Sequence, residues 1–208
     1  MESVEVATAV LGWGDILKIV LASGVVATVI GWFKDWLFKS RERARDAKFA
    51  AIGVIAKLDL YVIQSRQSVR DYNEVTAGLD PQTHYQDWPR CVYPDLDIAE
   101  DELKQLGAEY SSDLAWLATE KALASEHLYS IYDASWDPTE VHAHKAEVVG
   151  YFGYEVYLLA SKLRAAFGLP PFGLRWGIED DFQDLLRSWE ETKKEVAKRS
   201  WPRPTKEK

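Results

Sequence analysis

The sequence predicts an all-α protein in which one N-terminal transmembrane helix continues into a three- to four-helix cytoplasmic bundle. Three observations predict it. Apolar residues recur at steps of three and four along most of the 208-residue chain, the period of helices that pack on helices. Helix start and stop signals punctuate the chain near 97–100, 137–140 and 168–171. Residues 16–33 read ILKIVLASGVVATVIGWF, with Lys18 the single charge.

The N-terminal apolar run is read as the anchor. Eighteen residues at 1.5 Å each make about 27 Å of helix, close to a hydrocarbon core of about 30 Å. Trp13 precedes the run, while Trp32 and Trp36 stand at its far end, as in an interfacial aromatic belt. Lys18 lies a turn inside, where its stem can lift the ammonium to the headgroups. Residues 1–15 carry Glu2, Glu5 and Asp15 and no Lys or Arg, so they form a short extracytoplasmic N-terminus. The positive-inside tendency then places the remainder in the cytoplasm, on a single pass through the inner membrane. A cleaved signal peptide needs a basic leader and a small-residue cleavage site, and neither is present. The alternative is a soluble all-α protein whose first helix is buried. Ser23, Ala27 and Gly31, spaced by four, form a small-residue stripe through which two such helices could associate into a homo-oligomer.

Residues 34–48 form a basic juxtamembrane helix: Lys34, Lys39, Arg41, Arg43, Arg45 and Lys48 against three acids. The rest of the chain holds 18 bases and 27 acids, so an acidic body follows a basic collar. The net charge of −8 argues against nucleic acid as a partner. The single cysteine, Cys91, excludes an internal disulfide and suits a passive position.

The bundle spans 49–199. Ala51, Ile55, Leu58, Val62, Ser65, Val69 and Tyr72 alternate steps of four and three, a buried seam on a helix that runs to about Val75. Residues 76–96 hold three prolines and no helical period, an ordered connection. Its His84, Tyr85, Trp88, Arg90 and Tyr93 could meet a protein partner, or its aromatics could pin it to the bundle. Asp97 and Glu100 resemble a capping box, opening a second helix that ends near Ala134. Leu103, Leu106, Tyr110, Leu114, Leu117, Ala124, Leu128 and Ile131 mark its apolar face. Asp137-Pro138-Thr139-Glu140 opens a third helix, and Gly168 with Pro170 and Pro171 closes it. Its buried face is read as Val148, Phe152, Val156, Leu159, Leu163 and Ala166; Gly150 and Gly153 signal a close backbone approach. A fourth helix, about 178–199, carries Phe182, Leu185, Leu186, Trp189 and Val196, and a basic tail fills 200–208.

The anchor with its basic collar, the stretch Lys121-Ala-Leu-Ala-Ser-Glu126, and Gly150-Tyr-Phe-Gly-Tyr through Leu163-Arg-Ala-Ala-Phe-Gly-Leu-Pro170 resemble a loose group of small bacterial or phage membrane-anchored helical proteins. The resemblance covers roughly 15–170; it implies a bacterial or phage source and carries no established activity.

Chemistry is sparse. Glu140, His144 and Glu147 fall at i, i+4 and i+7 on one helical face, with His142 nearby, the one constellation that could hold a metal. Di-iron bundles instead use a Glu-x-x-His motif on each of two helices, which is absent here. Neither a nucleophile elbow nor a phosphate-cradling glycine loop occurs. No cofactor is expected. The leading expectation is a membrane-anchored, non-enzymatic interaction protein; a metal-dependent helical-bundle enzyme or sensor at Glu140, His144 and Glu147 is the alternative.

Overall fold

The computed structural model describes residues 13, 14, 18, 25–80, 83–134, 137–174 and 182–199. Among them every regular element is helical and none is a strand. Helix α1 is Val25–Ala77, 53 residues long; a 3-10 turn follows at Tyr85–Asp87. Then come α2 (Glu100–Leu106), α3 (Ala108–Ala134), α4 (Pro138–Phe167) and α5 (Gln183–Arg199). The chain divides into two compact units, Met1–Asp46 and Ala47–Lys208, and α1 supplies residues to both.

In the second unit the core forms where α1 meets α4. All seven residues of the expected α1 seam are buried, from Ala51 to Tyr72, joined by Ala50, Val54 and Tyr61. On α4 the fully buried positions are Val149, Phe152, Val156, Ala160 and Leu163. The expected phase was one residue off at two places: Val148 and Leu159 are half-buried, and Ala166 is exposed. A helix with 3.6 residues per turn presents adjacent candidates to almost the same side, and the position of the neighbouring helix chooses between them.

Two glycines let α4 approach its neighbours. A Cβ on Gly150 would lie 2.6 Å from Ser188 Cβ on α5, and one on Gly153 would lie 2.8 Å from Ser65 Cβ on α1. Real Cβ atoms do not come that close, so both positions require hydrogen. Charged pairs then tie the helices at their edges. Asp184 of α5 accepts from Arg66 Nε and Arg70 Nε of α1, each at 2.9 Å. Lys57 of α1 donates to Glu102 of α2 at 2.7 Å. Lys162 of α4 reaches Glu109 and Asp113 of α3 at 2.8 and 2.9 Å. Arg164 of α4 donates through Nη2 to Asp59 of α1.

The expected second helix is two. Asp97 and Glu100 form no capping box; the helix begins at Glu100 after Ala99, whose N–H donates to Glu102 Oε2 at 2.9 Å. Gly107, at φ +90°, then interrupts the chain before α3. That backbone conformation is open to glycine and strained for other residues. Ser111 Oγ lies within donating distance of the carbonyls of Leu103 and Gly107, so the break leaves its polar groups served.

The third helix follows its signals. The Asp137 carboxylate accepts from Thr139 N at 2.8 Å, Pro138 sits in the first turn, and Gly168 caps the C-terminus at φ +60°. The Glu140 carboxylate lies 3.6 Å from His144 Nε2. The fourth helix is described from Gln183 onward, and the start expected near 178 lies outside the described residues. Phe182 precedes it at φ +50° and 1% exposed. Its ring lies 5.1 Å from Tyr157 and 5.2 Å from Phe172, with the Arg66 guanidinium 5.1 Å away. Burying a phenylalanine among those groups offsets the left-handed backbone. Leu185, Leu186 and Trp189 pack as expected, whereas Val196 is 55% exposed.

Candidate functional site

The most unusual surface lies in the first unit. Between 29 and 38 the side chains of Val29, Ile30, Trp32, Phe33, Trp36, Leu37 and Phe38 are all accessible, Trp32 at 83% and Trp36 at 63%. Six of the seven share a face about 160° wide and Phe38 stands across from it, since neighbours along the helix are about 100° apart. An apolar side chain taken out of water gains about 1.5–3 kcal/mol, so a helix with so broad an apolar face in water forfeits that at each exposed position. Such a surface calls for an apolar surrounding. Phe33 stacks on Trp36 at 6.0 Å, and Lys34 Nζ sits 5.8 Å from the Phe38 ring. Directly after them Lys39, Arg41 and Arg43 are exposed, and Arg45 Nε lies 3.6 Å from Asp46.

Of the four residues assigned to membrane anchoring, Trp13, Lys18, Trp32 and Trp36, all are exposed. Of 16–33, residues 16, 17 and 19–24 lie outside the described residues. Among the described residues no helix is long and apolar enough to cross a membrane. Of the small-residue stripe, Ser23 and the side chain of Ala27 are outside the described residues; a Cβ on Gly31 would meet nothing within 4 Å.

The metal candidates Glu140, His144 and Glu147 do come together on α4. His144 Nδ1 lies 3.2 Å from Glu147 Oε2, and His144 Nε2 lies 3.6 Å from Glu140 Oε1. The two ring nitrogens point in different directions, so the carboxylates flank the imidazole instead of converging on one point. The ring is within hydrogen-bond distance of Glu147 alone and within ion-pair distance of Glu140, a brace along the helix. Among the described residues no group of three or more His, Cys, Asp or Glu is arranged to hold a metal ion. His142 is half-buried, and burial, helped by the Arg90 charge, lowers its pKa.

The 76–96 connection has two characters. Its later part is pinned to the bundle. Cys91 is buried with Sγ 3.3 Å from Ser68 Oγ, and burial pushes its thiol pKa up, which suits a passive residue. Tyr93 sets its ring edge-on to Phe152 at 6.0 Å, under Lys145 Nζ at 3.5 Å. Tyr93 therefore belongs to the wall of the bundle more than to an outer surface. Earlier in the connection His84 and Arg90 are exposed and Trp88 is half-buried; the Tyr85 side chain lies outside the described residues.

One feature escaped the sequence reading. Phe49, Ile52, Leu60 and Ile63 are 65, 45, 57 and 45% exposed, an apolar stripe on the side of α1 away from the core. Their spacing of 3, 8 and 3 was visible, but the stronger seam beginning at Ala51 masked it. Ile52 and Ile63 also wall a cleft of about 620 Å³ with Leu169, Phe172 and Leu174. Asp59 and Arg164 lie in the same wall. Burial raises the Asp59 pKa despite the guanidinium beside it. Arg164 Nη1 is buried without an acceptor and is itself covered, so a molecule in the cleft does not reach it.

No protein-family model, curated protein or solved structure matches this chain.

Proposed function

We propose that this chain is a membrane-anchored, non-enzymatic interaction protein. The anchor is a single helix at 16–33 with the N-terminus outside and the bundle on the cytoplasmic side of the inner membrane. The observation that supports it is the set of seven exposed apolar side chains between Val29 and Phe38, followed at once by Lys39, Arg41 and Arg43. Trp32 and Trp36 then stand at the boundary between hydrocarbon and headgroups, where an amphipathic ring is best placed. In this reading the stripe of Ser23, Ala27 and Gly31 pairs two copies within the bilayer. The outward part of the connection, His84, Tyr85, Trp88 and Arg90, with Tyr93 at its root, meets a cytoplasmic protein.

The test is extraction of the full chain from membranes. The anchored protein stays with the membrane through alkaline carbonate and high salt and is released by detergent. Release by carbonate alone would overturn the anchor and favour a helix covered by protein. For pairing, Gly31→Ile weakens association in a membrane reporter assay, because the larger side chain holds two backbones apart; unchanged association removes the stripe.

A further inference from the structure

We infer that the cations at 39–45 form a collar that gathers anionic phospholipid headgroups around α1, an inference that rests on the membrane-anchored reading above. Three features of the helix carry it. First, the cations are unspent: Lys39, Arg41 and Arg43 are exposed and make no hydrogen bond or ion pair with the described residues. Arg45 has only a 3.6 Å contact with its neighbour Asp46.

Second, they face more than one way. Lys39 and Arg43 are one turn apart on one side, and Arg41 and Arg45, also a turn apart, lie about 200° round from them. A protein partner covers one side of a helix, whereas headgroups surround it. A two-sided arrangement of charge therefore fits a lipid surface better than an acidic protein face.

Third, the depth is right. Residues 39 to 45 span about 9 Å along the axis, comparable with the roughly 5–8 Å of headgroup layer on each side of a bilayer. They follow directly on the aromatic residues Trp36 and Phe38, so hydrocarbon and phosphate are met in that order along the chain. Guanidinium groups suit phosphate because two parallel N–H donors match two oxygens. The segment 34–46 also carries Asp35, Glu42 and Asp46 against its five bases, which leaves it at +2. The attraction is thus selective and sensitive to salt, not a permanent bond.

The full chain, reconstituted into phosphatidylcholine vesicles containing a minority of phosphatidylglycerol, is floated, cut out with its nearest lipids by a polymer, and the lipids are weighed by mass spectrometry. Phosphatidylglycerol is expected above its bulk share, by roughly fivefold in local partition for each charge. Enrichment falls to the bulk share in the triple variant Lys39→Gln, Arg41→Gln, Arg43→Gln, which still floats, and wild-type enrichment declines as salt is raised. A bulk ratio around the wild-type chain overturns the collar and leaves the anchor standing, as does undiminished enrichment in the triple variant. Failure to float on any vesicle overturns the anchored reading, and the collar with it.

Discussion

At Gly153 a single hydrogen decides how closely two helices lie. A methyl group there would stand 2.8 Å from Ser65 Cβ and 3.2 Å from Leu185 Cδ1. Gly153→Ala gains helix propensity, up to about 1 kcal/mol, but overpacks a filled core at about 1–3 kcal/mol. The expected outcome is a lower thermal midpoint for the full chain. Ser65→Gly alongside it restores part of the loss by removing the clashing carbon. If Gly153→Ala melts at or above the wild-type temperature, the contact is looser than its geometry. Ser65 matters for its size: its hydroxyl is buried without a hydrogen-bond partner. The close approach at Gly150 and Gly153 was legible because a glycine pair inside a strong helical period needs a packing reason. Which neighbours approach was not legible, since Ser65 and Ser188 lie far away in sequence.

Between elements, the pair of Asp59 and Arg164 binds α1 to α4 at the edge of the cleft. The Arg164 side chain is 9% exposed and that of Asp59 is 22%, so water does little to screen them. Removing one partner strands the other's charge, an effect of about 3–5 kcal/mol, while replacing both with apolar groups is often neutral or stabilising. Arg164→Met, which strands the Asp59 carboxylate, is therefore expected to lower the thermal midpoint sharply. The double variant Asp59→Leu, Arg164→Met is expected to recover most or all of it. Equal loss in single and double variants would mean that the pair acts only by filling space. The sequence offered no sign of this pair, because 105 residues separate its members and charges on amphipathic helices usually face water. The break at Gly107 was missed for a different reason. Apolar period continues from Leu103 through Leu114 across it, and period alone does not distinguish one helix from two that share a face.

Across the bundle, carboxylates held by cations set the response to acid. Burial pushes the Asp184 carboxyl up, but the hydrogen bonds and charges of Arg66 and Arg70 outweigh it and hold its pKa below the ordinary value. Glu102 is likewise lowered, chiefly by its hydrogen bond from Lys57. A depressed folded-state pKa contributes stability that is present above the unfolded value, about 4, and is lost as pH falls through the folded value. The full chain is expected to lose thermal stability below about pH 4, and Asp184→Asn, already without that contribution, to show a shallower decline. Identical pH profiles for the two would show that the Arg66–Asp184–Arg70 bridge is not what acid breaks. Burial raises the Asp59 pKa, so Asp59 acts in the opposite sense and blunts the fall.

The sequence by itself determined what local physics controls. Helical period specified an all-α chain and the α1 seam, and Asp137 with Pro138 and Gly168 specified both ends of α4, because caps and amphipathic faces are settled within a few residues. The tertiary structure alone decided what depends on distant neighbours. It turned Tyr93 and Cys91 inward onto Phe152 and Ser68, flanked His144 with two carboxylates that do not converge, and left the far side of α1 apolar and uncovered. A period shows that a face is apolar; only the packed neighbours show whether it is covered.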